Sequence, residues 1–237
     1  MEYNFDKFVE EANKISIQFT DKQLEQFRTY YEMLVEKNKV MNLTGITEWD
    51  EVLEKHFLDS ISLIRAIDLN QNLSVMDMGT GAGFPGIPLK IAFPNLKVTL
   101  ADSLNKRVLF LQEVIDALGL ENIEAIHGRA EDLARDKCYR EQYDLSVSRA
   151  VANLSTLSEY CLPFVKIGGQ FISYKSGEIE EEVAESKSAV FLLGGKTKDT
   201  VKFELGESGR SFIIIDKVKG TPKTYPRKAG TPSKKPL

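Results

Sequence analysis

The sequence is poor in the residues that build small stapled or metal-bound folds. Among 237 residues there are two cysteines, Cys138 and Cys161, and two histidines, His56 and His127. Neither cysteine belongs to a Cys-x-x-Cys pair. That excludes a zinc ribbon or finger and a disulfide scaffold, and it fits a reducing cytoplasm. No metal is expected. No apolar run approaches the roughly 20 residues that span a bilayer. The opening MEYNFDKFVEEANK is acidic and has no apolar stretch, which argues against a secretory signal. No internal repeat is present. Positive charge is also short overall, with 31 Lys and Arg against 35 Asp and Glu, a net of −4. Taken alone, that balance speaks against a nucleic-acid partner, because phosphate binding calls for a basic surface.

What is there is ordinary globular material, 42% hydrophobic and 28% charged. A chain of this length buries a sizeable core without disulfides or metals. Its charge is unevenly spread. From Lys217 to Leu237 there are seven basic residues and no acidic one, so residues 1–216 carry −11 and the tail +7. The tail also holds four of the eight prolines, Pro222, Pro226, Pro232 and Pro236. Such a segment is expected to be extended, either as a solubilising tail or as an arm that contacts phosphate.

The organisation divides into three stretches. Residues 1–70 read as helical: Leu24, Phe27, Tyr31, Leu34 and Val35 make one helix face after a cap at Thr20 or Asp21, and Leu53, Phe57, Ile61 and Ile64 make a second stripe. Residues 71–218 alternate strands and helices. Strands are expected at Leu73–Met78, Val98–Asp102, Ile123–His127, Tyr143–Ser148 and Gln170–Lys175. The first four each lead into a helix, which implies a parallel sheet with right-handed crossovers. After a helix near Glu178–Leu193 come strands Thr200–Leu205 and Ser211–Val218. Only Gly206-Glu-Ser-Gly209 separates them, too short for a parallel crossover, so they form an antiparallel hairpin. The expected fold class is therefore α/β, a seven-stranded, mostly parallel sheet with an antiparallel C-terminal hairpin and a small N-terminal helical region. Residues 219–237 are the basic, proline-rich arm.

The first strand ends in Asp77-Met-Gly79-Thr-Gly81-Ala-Gly83-Phe84-Pro85-Gly86. Glycines here permit a tight turn and close backbone approach by a ligand. Residues 81–86 match G-x-G-x-x-G, which brings NAD into consideration. Asp77 weighs against it, since a carboxylate there opposes a pyrophosphate and suits a ligand carrying ammonium and sulfonium charges. The terminal hairpin is a second departure from a six-stranded dinucleotide-binding sheet. Asp102 lies 23 residues after Gly79 at the end of the second strand, where it either accepts the hydroxyls of a ribose or caps the next helix. His127-Gly-Arg129-Ala130-Glu131-Asp132 follows the third strand, either bordering an adenine or serving as a plain cap. His56 reads as packed beside the Leu53–Phe57 stripe, bonded to Asp59, and Glu180-Glu181-Glu182 as a solvated face.

Together these motifs resemble a class I, Rossmann-like S-adenosylmethionine-dependent methyltransferase. The resemblance narrows when further segments are added: NLTGIT at 42–47, KHFLDS at 55–60, DMGTGAGFPGIPLKI at 77–91, DSLNKRVLFL at 102–111, GRAED at 128–132, SRAV at 148–151, LPFVKIGG at 162–169 and PRKAGTPSKKPL at 226–237. The set, in order along nearly the whole chain, is similar to the ribosomal small-subunit methyltransferase G family, also called glucose-inhibited division protein B. That resemblance implies methylation of N7 of one guanine in 16S ribosomal RNA, the family's position 527, with S-adenosyl-L-methionine as cofactor. By resemblance Gly79, Phe84, Ala130, Glu131 and Arg149 are cofactor contacts and Asp102 is the ribose-binding acid. Asp77, Gly81 and Gly83 complete the expected cofactor loop. Arg149 is expected to position the substrate, and Arg129, Lys175, Lys223, Arg227, Lys228, Lys234 and Lys235 to meet RNA. A cytoplasmic monomer is expected, acting on the small ribosomal subunit.

Guanine N7 has a free lone pair and no proton to lose, so no general base is needed and catalysis rests on positioning. The chain agrees through what it omits. It has no Asn/Asp-Pro-Pro-Tyr motif after the fourth strand, where Ser148-Arg149-Ala150-Val151 stands, and no Pro-Cys nucleophile. Three other readings stay open at this level: a small-molecule methyltransferase, a cofactor-binding ribosome-assembly factor without activity, and an NAD enzyme.

Overall fold

The computed structural model describes residues 3–149 and 151–237. Ala150, within the SRAV segment, lies outside the described residues, as do Met1 and Glu2. The chain starts with helix α1 (Asp6–Lys14) and helix α2 (Asp21–Met41). Thr20 caps α2 through a capping box: its hydroxyl accepts from the Gln23 backbone N–H, and the Gln23 side chain returns to the Thr20 N–H. That arrangement satisfies two otherwise orphaned donors. The Gln23 amide also donates to the Ile91 carbonyl at 2.8 Å, tying the start of α2 to the main body. A short α3 (Trp49–Val52) then opens into a π-helical turn, Leu53–Leu58, before α4 (Asp59–Ile61).

The π turn changes the expected second stripe. Leu53, Phe57 and Ile61 are buried as expected, but Leu58 and Leu63 are buried too, whereas Ile64 is only half-buried. One extra residue per turn rotates the face, and such single turns are frequently found at functional sites. Here the carbonyls of Lys55 and His56 are turned toward Arg149, 3.3 and 3.5 Å from its Nη1.

The main body follows as β1 (Ser74–Met78), α5 (Gly86–Ala92), β2 (Lys97–Asp102), α6 (Asn105–Leu118), β3 (Ile123–His127), α7 (Ala130–Leu133), β4 (Tyr143–Arg149), α8 (Leu154–Cys161), β5 (Val165–Ser176), α9 (Glu180–Leu192), β6 (Gly195–Leu205) and β7 (Ser208–Lys217). The seven strands form one sheet in the order β3-β2-β1-β4-β5-β7-β6. The first five are parallel, and β7 runs antiparallel to both β5 and β6. The class and hairpin expected from the sequence are therefore present. β6 begins five residues earlier than expected, because Lys196, Lys198 and Asp199 obscure its alternation. They sit on an edge strand, where charge discourages pairing with other chains.

One apolar core joins the N-terminal helices to the sheet. Phe27, Tyr30 and Leu34 of α2 pack with Phe57, Phe84, Ile87 and Phe110. The central strands β1 and β4 are buried on both faces, as parallel strands covered by helices must be. A second cluster, including Leu157, Phe164, Phe171 and Ile213, fills the opposite face.

The segment after β7 departs from the expectation of an extended arm. It lies against α7 and α8 and ends in a one-turn helix, α10 (Thr231–Lys234). Pro226 and Pro232 are buried. Among the described residues, no helix is long and apolar enough to cross a membrane.

Candidate cofactor and substrate site

Strand order reverses between β2-β1 and β4-β5, so the crossovers leave β1 and β4 in opposite directions. In open α/β sheets that switch point makes a crevice beyond the carboxyl ends of the strands. A cleft of about 580 Å³ lies there, walled by the loops after β1, β2, β3 and β4. This volume falls within the usual range for small-molecule sites.

The loop after β1 is shaped by its glycines. Gly79 has φ +72°, and a β-carbon there would stand 2.7 Å from Val151 Cγ2. Its N–H donates to the Ala101 carbonyl at 2.9 Å, which fixes the loop to β2. Gly79 and Gly81 face the cleft. Gly83 does not. It allows the loop to close on α2, since a β-carbon there would meet Ile87 Cδ1 at 2.5 Å and the Tyr30 hydroxyl at 2.7 Å. Tyr30 in turn donates to the Ala82 carbonyl at 2.6 Å.

Asp77 is also placed differently from the expectation. Its side chain is fully buried behind the loop and does not line the cleft. One oxygen accepts from Thr80 Oγ1 at 2.6 Å and from the Gly86 N–H at 2.8 Å, so the carboxylate braces both ends of the loop. The other oxygen, Oδ1, is buried without a partner. Burial pushes this carboxyl up to about 6, although the Thr80 and Gly86 bonds pull the other way.

Asp102 does not cap α6, whose N-cap is Leu104. Oδ1 accepts from the Leu104 N–H at 2.9 Å, as a turn-forming aspartate does, and Oδ2 accepts from the Gly81 N–H at 3.0 Å while the residue lines the cleft. Ala130 and Glu131, at the start of α7, are buried and line the cleft, as does the exposed Arg129.

Phe84 forms the floor nearest β4. His56 stacks on its ring with centroids 4.5 Å apart, and the Arg149 guanidinium sits 4.9 Å from the ring centre. Arg149 is held by four acceptors. Besides the two π-turn carbonyls, Nη1 donates to Asp59 Oδ2 at 2.8 Å and Nη2 faces His56 Nδ1 at 3.3 Å. Because an arginine has only donors, His56 Nδ1 must accept; the proton is then on Nε2 and donates to Thr44 Oγ1 at 2.8 Å. His56 therefore bonds Thr44 and Arg149 rather than Asp59. Burial first, and the Arg149 charge second, push His56 down to about 4.

Arg149 and His56 also line a second cleft, of about 480 Å³, with Lys55, Lys175 and Arg210 on its other sides. Arg210 Nε donates to Asp59 Oδ1 at 3.0 Å, so one buried carboxylate fixes two arginines from two strands. Lys175 belongs to this second cleft and not to the first. Its ammonium donates to Glu182 Oε1 at 2.6 Å and to the Ala152 carbonyl at 3.0 Å. Glu182 is thus more than a solvated face: the same oxygen also accepts from the Leu154 N–H at the start of α8.

Of the tail residues expected to meet RNA, Lys223, Lys228, Lys234 and Lys235 are exposed. Arg227 is a correction. Its Nε and Nη2 form a fork onto the fully buried Glu159, with Nη2 to Oε2 at 2.7 Å. That fork holds the segment down. Lys217, counted among the tail's charges, is buried at the end of β7 and donates to the Leu162 carbonyl at 2.6 Å.

The sequence did not point to Arg210 or Glu159, and it offered Asp59 only as a partner of His56 and Glu182 only as part of a solvated face. Asp59 lay within the KHFLDS segment, but its partners come from strands 90 and 151 residues away.

Comparison with known proteins agrees with this geometry. The family model described as rRNA small subunit methyltransferase G matches residues 23–211. A protein of Lachnoclostridium phytofermentans named "Ribosomal RNA small subunit methyltransferase G" is 53% identical over 232 residues, 97% of this chain and 96% of its own. One of the same name from Staphylococcus saprophyticus is 55% identical over 223 residues, 93% of each chain. Among solved structures, a SAM-dependent methyltransferase from Aquifex aeolicus superposes with a TM-score of 0.54 at 20% identity, covering 76% of this chain and 97% of that one. TYW2 from M. jannaschii, solved in complex with AdoMet, gives 0.52 at 18% identity, covering 68% and 77%. These two structures share the sheet and its helices, while the near-complete sequence matches and the family model go further: the chain belongs to the rRNA small subunit methyltransferase G family.

Proposed function

We propose that this protein transfers the methyl group of S-adenosyl-L-methionine to N7 of a guanine in 16S ribosomal RNA. The observation that carries this is the cleft at the strand-order switch, where the Gly79 loop, Asp102 and Arg149 converge in a chain of this family. The residues suit such a cofactor. A β-carbon would fill the Gly79 cradle, and Asp102 offers a carboxylate beside the cleft. When bound, the cofactor supplies an electrophilic methyl group on a sulfonium.

The protein's own residues bind and orient. Gly79 and Gly81 let a ligand approach the backbone closely, Asp102 takes the ribose hydroxyls, and Ala130 and Glu131 border the adenine. Phe84 gives the apolar floor. Arg149, immobilised by Asp59 and by the π turn, faces the guanine without accepting a proton from it, and none has to be removed. Fixed placement of two reactants is worth several kcal/mol of barrier, about 7–11 in the best-oriented cases. Arg129 and the exposed lysines 223, 228, 234 and 235 supply phosphate contacts, whereas Lys175 is committed to Glu182 and the Ala152 carbonyl. The reading places the protein in the cytoplasm, acting as a monomer on the RNA of the small subunit.

Gly79→Asp tests the site. The substitution puts bulk and charge where Val151 leaves no room. Calorimetric titration with S-adenosylmethionine is expected to show no binding to this variant, and wild-type affinity in it contradicts the placement.

A further inference from the structure

The C-terminal segment is built into the cofactor cleft. It leaves β7 at the buried Lys217, is gripped by Arg140, which donates to the carbonyls of Thr221 at 2.8 Å and Tyr225 at 3.0 Å, and is pinned by the Arg227–Glu159 fork. The Thr156 hydroxyl donates to the Pro232 carbonyl at 3.2 Å. Buried bidentate pairs of this kind are specific and strong, and a solvated tail does not form them. These anchors bring the turn at Gly230, with φ +80°, to the mouth of the cleft. There the Gly230 N–H donates to Glu131 Oε1 at 2.8 Å, and Gly230, Ser233 and Tyr160 line the same cleft as Asp102.

We propose that the Gly230–Ser233 turn is the outer wall of the adenine subsite, so that the C-terminal segment serves the cofactor as well as any RNA. The proposal rests on the cofactor reading above. One oxygen of Glu131 is taken by Gly230, which fixes the carboxylate and leaves the second oxygen for the amino group of adenine. Tyr160 and the turn supply the surfaces against which a flat base packs. The turn sits more than 95 residues beyond α7 in sequence, and anchors at Arg135, Arg140, Glu141, Thr156 and Glu159 bring it there.

The test is calorimetric titration of S-adenosylhomocysteine into three full-length or shortened proteins: wild type, Ser233→Trp, and a chain ending at Tyr225. Ser233 is exposed, so its replacement leaves the core untouched. The wild type binds. Ser233→Trp binds at least tenfold more weakly with an unchanged melting temperature, and the shortened chain loses at least as much. In steady-state assays Ser233→Trp raises the KM for the cofactor by a larger factor than it lowers kcat. Equal affinity of wild type and Ser233→Trp overturns the proposal even if the shortened chain fails to fold. A wild type that does not bind the nucleoside overturns the cofactor reading and this inference with it.

Discussion

His56 is a histidine held neutral by its surroundings. It is packed on Phe84, faces the permanent charge of Arg149 and is pushed down to about 4. Relative to an unfolded chain titrating near 6.5, the folded protein takes up its proton later. Stability from this group is therefore full above pH 6.5 and is lost as pH falls from 6.5 toward 4. NMR of the imidazole is expected to show the Nε2–H tautomer at pH 7 and a midpoint near pH 4; a midpoint near 6.5 contradicts the packing described. The sequence identified His56 as a packed residue because it flanks an apolar stripe. It could not show that its partners are Thr44 and Arg149, since the second stands 93 residues away and the first depends on the loop between α2 and α3. Asp77 and Gly83 make the same point in reverse. Their place in the glycine motif was plain, yet both turn behind the loop and brace it, because Thr80, Gly86 and Tyr30 close on that side.

Three elements meet at Asp59. The carboxylate lies at the junction of the π turn and α4 and fixes Arg149 of β4 and Arg210 of β7. Removing it leaves two partly buried guanidinium groups without their anion. Fully buried pairs cost about 3–5 kcal/mol when broken; here the arginines retain some solvent, so Asp59→Ala is expected to cost about 2 kcal/mol in urea unfolding. The same variant should lower methyl transfer, because Arg149 loses its fixed orientation. Wild-type stability together with wild-type activity contradicts this role. The strands and long helices were legible as patterns of apolar spacing and turn residues, down to the Thr20 cap. The π turn was not, since 3–4 spacing does not distinguish a regular helix from one with an inserted residue. The short α7 and α10 carry too few residues to show a period, and only packing against α8 settles them.

At the scale of the whole molecule, the acidic body and basic tail are not two independent parts. Two of the seven tail charges, Lys217 and Arg227, are spent on buried acceptors, and composition cannot separate these from the exposed lysines. Replacing Lys223, Lys228, Lys234 and Lys235 together by Gln is expected to leave folding intact and to flatten the salt dependence of RNA binding by at most about three in the logarithmic slope. An unchanged slope removes these lysines from the RNA contact. The central claim is the reaction itself, methylation of one guanine at N7. Its most direct test is nucleoside mass spectrometry of 16S ribosomal RNA from a strain lacking the gene for this chain. The expected result is the loss of a single 7-methylguanosine, restored by the wild-type gene and not by the gene carrying Gly79→Asp; an undiminished 7-methylguanosine content contradicts the account.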